Sequence, residues 1–141
     1  MTSRRVYVEH LRNSAAFGGF TRKELERVAS VGIEADLPAG TVLMHQGHTG
    51  HDAFIVLDGE VLVRRNGRRV ATLGAGDIVG ELALLDDGPR SATVECLSDC
   101  KLLLFTNREF TAVLDDVPAL SRKLLASLAN RLRTLDSALM G

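Results

Sequence analysis

Between residues 32 and 105 the chain is a series of short apolar runs cut by glycine at positions 40, 47, 50, 59, 67, 74, 76, 80 and 88. No long helix survives such punctuation, because each glycine costs about 1 kcal/mol in a helix interior. Runs of five or six residues bounded by turn formers read as the strands of a compact antiparallel β structure. The expected strands are Ile33 to Leu37, Thr41 to His45, Ala53 to Leu57, Glu60 to Arg65, Arg68 to Leu73, Ala92 to Cys96 and Lys101 to Phe105. Asn66-Gly67 suits a two-residue type I′ hairpin turn. Counting back from it pairs Arg65 with Arg68, Arg64 with Arg69 and Val63 with Val70. Four arginines then crowd the hairpin tip, which reads as a solvated turn.

Helical patterns flank this region. Apolar spacing predicts helices over residues 6–31, with Thr21 and Glu24 as a capping box, Phe20 and Leu25 as a hydrophobic staple, and Gly32 as the stop. Thr106 with Glu109, and Phe105 with Phe110, repeat both devices, so C-terminal helices are expected over residues 107–140, interrupted at Pro118. Leu125, Leu128, Leu132, Leu135 and Leu139 form a two-heptad seam, with Arg131 and Asp136 placed to attract across a parallel homodimer. The 141 residues, 45% of them hydrophobic, suit one domain spanning 1–141 with its own core.

Totals exclude several classes. A net charge of −1 supplies no field for direct DNA binding. No apolar run reaches the roughly 18 residues of a membrane span, and Ser3-Arg4-Arg5 lacks the apolar stretch of an export signal, so a cytoplasmic protein is expected. Cys96 and Cys100 alone make neither a disulfide framework nor a metal set, and read as buried free thiols. His45, His48 and His51 recur every third residue, but Gly47 and Gly50 between them mark a loop, and a cupin-type metal centre is set aside. Ser91 lacks a nucleophile elbow and a base. Asp86 and Asp87 read as a solvated helix end, so no catalytic residues and no enzyme are expected.

The informative stretch runs from Gly76 to Thr93. Glu81 to Leu85 should form one helical turn whose free amides, from about Leu82 and Ala83, favour an anion. Gly80 would let a ligand approach closely. Arg90, just past the Gly88-Pro89 turn, can give paired, charge-assisted bonds to phosphate oxygens, and Ser91 adds a hydroxyl. One cation plus amides suits a phosphodiester better than a triphosphate, for which a GKS or GKT sequence is missing. Glu81 is better read as a partner of a sugar hydroxyl than of phosphate.

Gly80-Glu81-Leu82-Ala83-Leu84 followed by Arg90-Ser91-Ala92-Thr93 closely resembles the phosphate-binding cassette of the cyclic nucleotide-binding domain family, and the likeness covers roughly residues 10–136. It implies an α+β fold: an antiparallel jelly-roll barrel over 32–105, flanked by N-terminal helices and two C-terminal helices. It implies further that Glu81 binds the ribose 2′-hydroxyl, that Arg90 binds the cyclic phosphate, and that amides of Leu82, Ala83 and Ala92 complete the cradle. Val63 and Val70 would line the base pocket. Ser91 is similar to bacterial cAMP receptors, where cGMP-selective kinase domains carry Thr, so cAMP is expected before cGMP. Where many bacterial receptors place small hydroxyl residues against adenine, this chain has Leu135 and Asp136. The expectation is a stand-alone cytoplasmic cAMP sensor, without cofactor or catalysis, that relays binding through its C-terminal helices to an unknown downstream protein. The alternative is a protein interaction module that keeps the fold without the ligand.

Overall fold

The computed structural model describes residues 8–9, 11–12, 17–80 and 88–140, with side chains omitted for residues 131 and 134–140. Helical residues 8–9 and 11–12 and a turn at 17–19 precede α1 (Arg22–Val31). Eight strands follow: β1 (Ile33–Leu37), β2 (Val42–Met44), β3 (Ala53–Asp58), β4 (Val61–Arg65), β5 (Arg68–Leu73), β6 (Ile78–Val79), β7 (Thr93–Cys96) and β8 (Cys100–Phe105). Helices α2 (Asn107–Asp116) and α3 (Pro118–Met140) close the described chain.

The strands form two four-stranded antiparallel sheets, ordered β1-β8-β3-β6 and β2-β7-β4-β5. Alternation explains why β3 reads as an unbroken apolar run. Ala53, Ile55 and Leu57 face a core shared with the helices, while Phe54 and Val56 face a second core between the sheets. A sheet buried on both faces needs apolar residues at every position. In β8, Leu103 and Phe105 serve the helical side, and Leu102 and Cys100 the other. Cys96 and Cys100 are free and buried in that inter-sheet core, as expected.

Both capping boxes form. Thr21 Oγ1 accepts from Glu24 N at 3.1 Å and Thr106 Oγ1 from Glu109 N at 3.2 Å, with each glutamate accepting from the cap amide. Pro118 opens α3 as its first residue, where a missing N–H costs nothing, and drives Val117 out of helical geometry. Gly32 ends α1 for a different reason from the one expected. Its backbone is extended rather than left-handed, and a Cβ there would lie 2.8 Å from Phe105 Cζ. The glycine makes room for a core aromatic.

Two further expectations are corrected. Val63 pairs with Ala71, not Val70: the tip pairs Arg65 with Arg68 and Arg64 with Arg69, and then a bulge leaves Val70 without a ladder partner. The tip is also more than a solvated turn, since Arg64 makes a 2.7 Å ion pair with Glu95 and Arg65 Nε donates to Ser91 O at 3.1 Å. The two-residue strand β6, absent from the sequence reading, pairs with β3 through Phe54 and Ile55. The leucine seam divides: Leu128 packs on the helical core, while Leu125 and Leu132 stand 66% and 63% exposed. Lys123 of α3 lies over the Phe17 ring at 4.9 Å. Burial pulls its ammonium below the usual lysine value, and Asp77 pushes back.

Candidate functional site

Arg90 is placed by its main chain first. Its N–H donates to His48 O at 2.8 Å and its carbonyl accepts from Gly47 N at 2.9 Å, a two-bond ladder that stitches the segment after Pro89 to the loop between β2 and β3. This turns the side chain inward. Nη2 donates to Asp52 O at 2.9 Å and Nη1 to Gly80 O at a longer 3.4 Å. At 7% exposure Arg90 is the only buried polar or charged residue among those described.

Two glycines make the space. A Cβ on Gly50 would sit 2.5 Å from Arg90 Nε. One on Gly80 would sit 2.8 Å from Asp52 O and 3.0 Å from Arg90 Nη1, and Gly80 has a left-handed φ of 84°. Gly80 is therefore required by the protein's own packing, in addition to any ligand's approach.

The electrostatics are those of a buried cation beside one nearby carboxylate. Burial lowers the Arg90 pKa from the ordinary arginine value, and the field of Asp52 partly restores it. Among the described residues no carboxylate forms an ion pair with the guanidinium. Main-chain carbonyls take two of its five N–H groups. A guanidinium held by neutral carbonyls keeps its full charge, which an anion brought to it would meet at short range.

The other expected residues fall around this point unevenly. Ser91 is exposed and Ala92 buried, both continuing from Arg90 into β7. Val63 is half-buried against the inter-sheet core and pairs across to Val94, whereas Val70 is 52% exposed on the bulge. Glu81, Leu82 and Ala83, with the helical turn expected there and Asp86 and Asp87 after it, lie outside the described residues. Leu135 and Asp136 lie within α3, but their side chains are outside the description. Sequence reasoning missed Gly47, His48, Gly50 and Asp52. Three of these contribute through main-chain groups, and the legible signal was two glycines three residues apart in one loop.

Fold and site together define a two-sheet domain in which a buried guanidinium is fixed between a loop and the glycine that follows β6. The chain belongs to the cyclic nucleotide-binding domain family, whose sequence profile matches residues 34–117. It is 39% identical over 113 residues to the Pycsar effector protein XpPycTIR of Xanthomonas perforans, covering 79% of this chain and 37% of that protein. It is 31% identical over 131 residues to the Cyclic AMP receptor protein of Thermus thermophilus, covering 89% of this chain and 61% of that one. The crystal structure of the Thermus thermophilus Catabolite Activator Protein superposes with a TM-score of 0.79 at 33% identity, over 89% of this chain and 62% of that one. The chain thus spans less than two thirds of the length of these relatives. A small cyclic nucleotide is the ligand class that membership implies, and the jelly-roll fold expected from the sequence is the fold of these neighbours. Among the described residues no helix is long and apolar enough to cross a membrane.

Proposed function

We propose that this domain is a receptor for a cyclic nucleotide, cAMP in preference to cGMP, and that it signals by a change of shape without catalysis. The observation that carries the reading is the buried, carbonyl-held guanidinium of Arg90, which has no ion-pair carboxylate among the described residues. In this reading Arg90 and the amides of Leu82, Ala83 and Ala92 hold the ring phosphate, and Glu81 takes the ribose 2′-hydroxyl. Ser91 marks the preference for cAMP. Val63 and Val70 face the base, and Leu135 and Asp136 close over it. The protein works in the cytoplasm.

The relay runs from the cradle to α3. Asp77 Oδ2 accepts from Gly74 N at 2.8 Å and so shapes the turn into β6, which Gly80 follows. The same carboxylate is the charge that acts on Lys123 of α3. A ligand that repositions Gly80 would shift a carboxylate three residues away whose field reaches α3, and it would bias α3 by the difference in its affinity for the two arrangements. Exposed Leu125 and Leu132 favour a homodimer as the output, and they equally favour the second reading, an interaction module that docks a protein there without a ligand.

Calorimetric titration with cAMP and cGMP, paired with thermal unfolding, separates these readings. At 100 times the dissociation constant a ligand stabilises by about 2.7 kcal/mol, roughly 8 °C for a chain of this length. Arg90→Ala is expected to abolish that shift while lowering the ligand-free melting temperature by only a few degrees. A melting temperature unmoved by millimolar cAMP and cGMP would favour the interaction module.

A further inference from the structure

Residues His45-Gln46-Gly47-His48 form a closed β-turn. His48 N donates to His45 O at 3.1 Å, and Gly47 at the third position has a φ of 83°, as a type II turn requires. The turn is fastened from outside at several points. Gln46 N donates to Thr93 Oγ1 at 3.0 Å, and the Gln46 amide exchanges two bonds with Asn66 of the β4–β5 hairpin, at 2.9 and 2.8 Å. Gly47 and His48 carry the ladder to Arg90. The main chain at both ends of the turn is therefore held.

His45 and His48, the first and fourth residues of the turn, present two imidazoles to solvent, with ring centroids 5.1 Å apart and planes tilted by 31°. We propose that His45 and His48 form a binding site for a divalent first-row transition metal ion of the zinc class. A metal about 2.0–2.1 Å from one nitrogen of each ring stands about 3.2 Å from each centroid, so tetrahedral placement puts the centroids about 5.2 Å apart. The observed 5.1 Å centroid spacing matches that value, and rotation about the side-chain bonds would turn one nitrogen of each ring toward a shared ion. Exposed imidazoles bury little apolar surface by facing each other, so core packing does not account for the pair.

Among the described residues no group of three or more His, Cys, Asp or Glu side chains converges, so water completes the shell. That makes the site an open, exchangeable one, weaker than a closed structural zinc centre. Its position gives it a consequence. The turn that the metal clamps is the one whose amide and carbonyl hold the main chain of Arg90, so an occupied pair stiffens one wall of the anion site. The metal site itself stands on the turn alone and does not depend on which anion Arg90 receives.

The experiment is calorimetric titration of the untagged 141-residue chain with zinc chloride, repeated for His45→Asn, His48→Asn and His51→Asn, with amide hydrogen exchange followed in parallel. One zinc per chain is expected, weakened at least about tenfold in each of the first two variants, a loss at the lower end of those seen when metal sites lose a supporting group. His51→Asn should bind as the parent does. Exchange at Gly47 and Arg90 should slow when zinc is added to the parent and not to His48→Asn. Failure of the parent to take up zinc saturably, or an equal affinity in the parent and in both the His45 and His48 variants, overturns the site.

Discussion

Gly50 and Gly80 both touch Arg90, but for physically different reasons, and alanine at each position separates them. Gly50 lies outside the left-handed region, so alanine suits its backbone; what the new Cβ would strike is the far end of a side chain, Arg90 Nε at 2.5 Å and Nη2 at 2.8 Å. The guanidinium must swing away. It then loses its 2.9 Å bond to Asp52 O, a charge-assisted contact of about 1.5–3 kcal/mol, but it regains water, which offsets much of that loss. The net cost to the ligand-free fold should be about 1 kcal/mol. Binding has no such offset, because the displaced fork no longer meets the anion. A loss of about 3 kcal/mol corresponds to roughly a hundredfold in affinity. At Gly80, alanine must adopt a φ of 84°, at about 1–2 kcal/mol, and its Cβ meets the main-chain oxygen of Asp52 at 2.8 Å, which cannot rotate aside. A total near 3 kcal/mol lowers the melting temperature by roughly 10 °C. Scanning calorimetry of the ligand-free variants and titration with cAMP give both quantities. Parental cAMP affinity in Gly50→Ala would refute the reasoning, and so would equal losses of stability in the two variants.

Two other outcomes follow from single residues. Burial above all, then a hydrogen bond with Cys100 and nearby charges, pushes the Cys96 thiol from its ordinary value of 9.0 up to about 12. The unfolded chain then releases that proton first, so stability is full below pH 9 and falls as pH rises toward 12, by about 1.4 kcal/mol per pH unit. Urea unfolding between pH 8 and 11 should show a shallower alkaline decline in Cys96→Ala than in the parent, and identical slopes would contradict the assignment. Leu132→Asp changes a side chain that is 63% exposed, so it should leave folding intact while converting a micromolar dimer to monomer by sedimentation. A parent already monomeric at that concentration would remove the dimer from the proposal.

What the sequence discloses and what it withholds divide along the range of the interaction. Thr21 with Glu24 and Thr106 with Glu109 were readable because a capping box closes within three residues. Asn66-Gly67 was readable for the same reason, with both residues at positive φ as the turn demands. The register failed one step further from the turn, at Val70. There β4 is held on its other edge by β7, Val63 against Val94, and a neighbour about thirty residues away helps set what the hairpin alone would not. Gly32 answers to Phe105 and β6 to Phe54, contacts that leave no local pattern. The site shows the same division. Arg90 was legible because a guanidinium is chosen for its chemistry, whereas His48, Gly47 and Asp52 hold it through amides and carbonyls that any residue could provide. Main-chain contacts write themselves into sequence only where a side chain would obstruct them. Among the described residues Gly50 and Gly80, with Gly47 beside them, are therefore the written trace of the walls around Arg90, and glycines that flank a candidate ligand-binding arginine from distant segments carry more information than the loop in which each one lies.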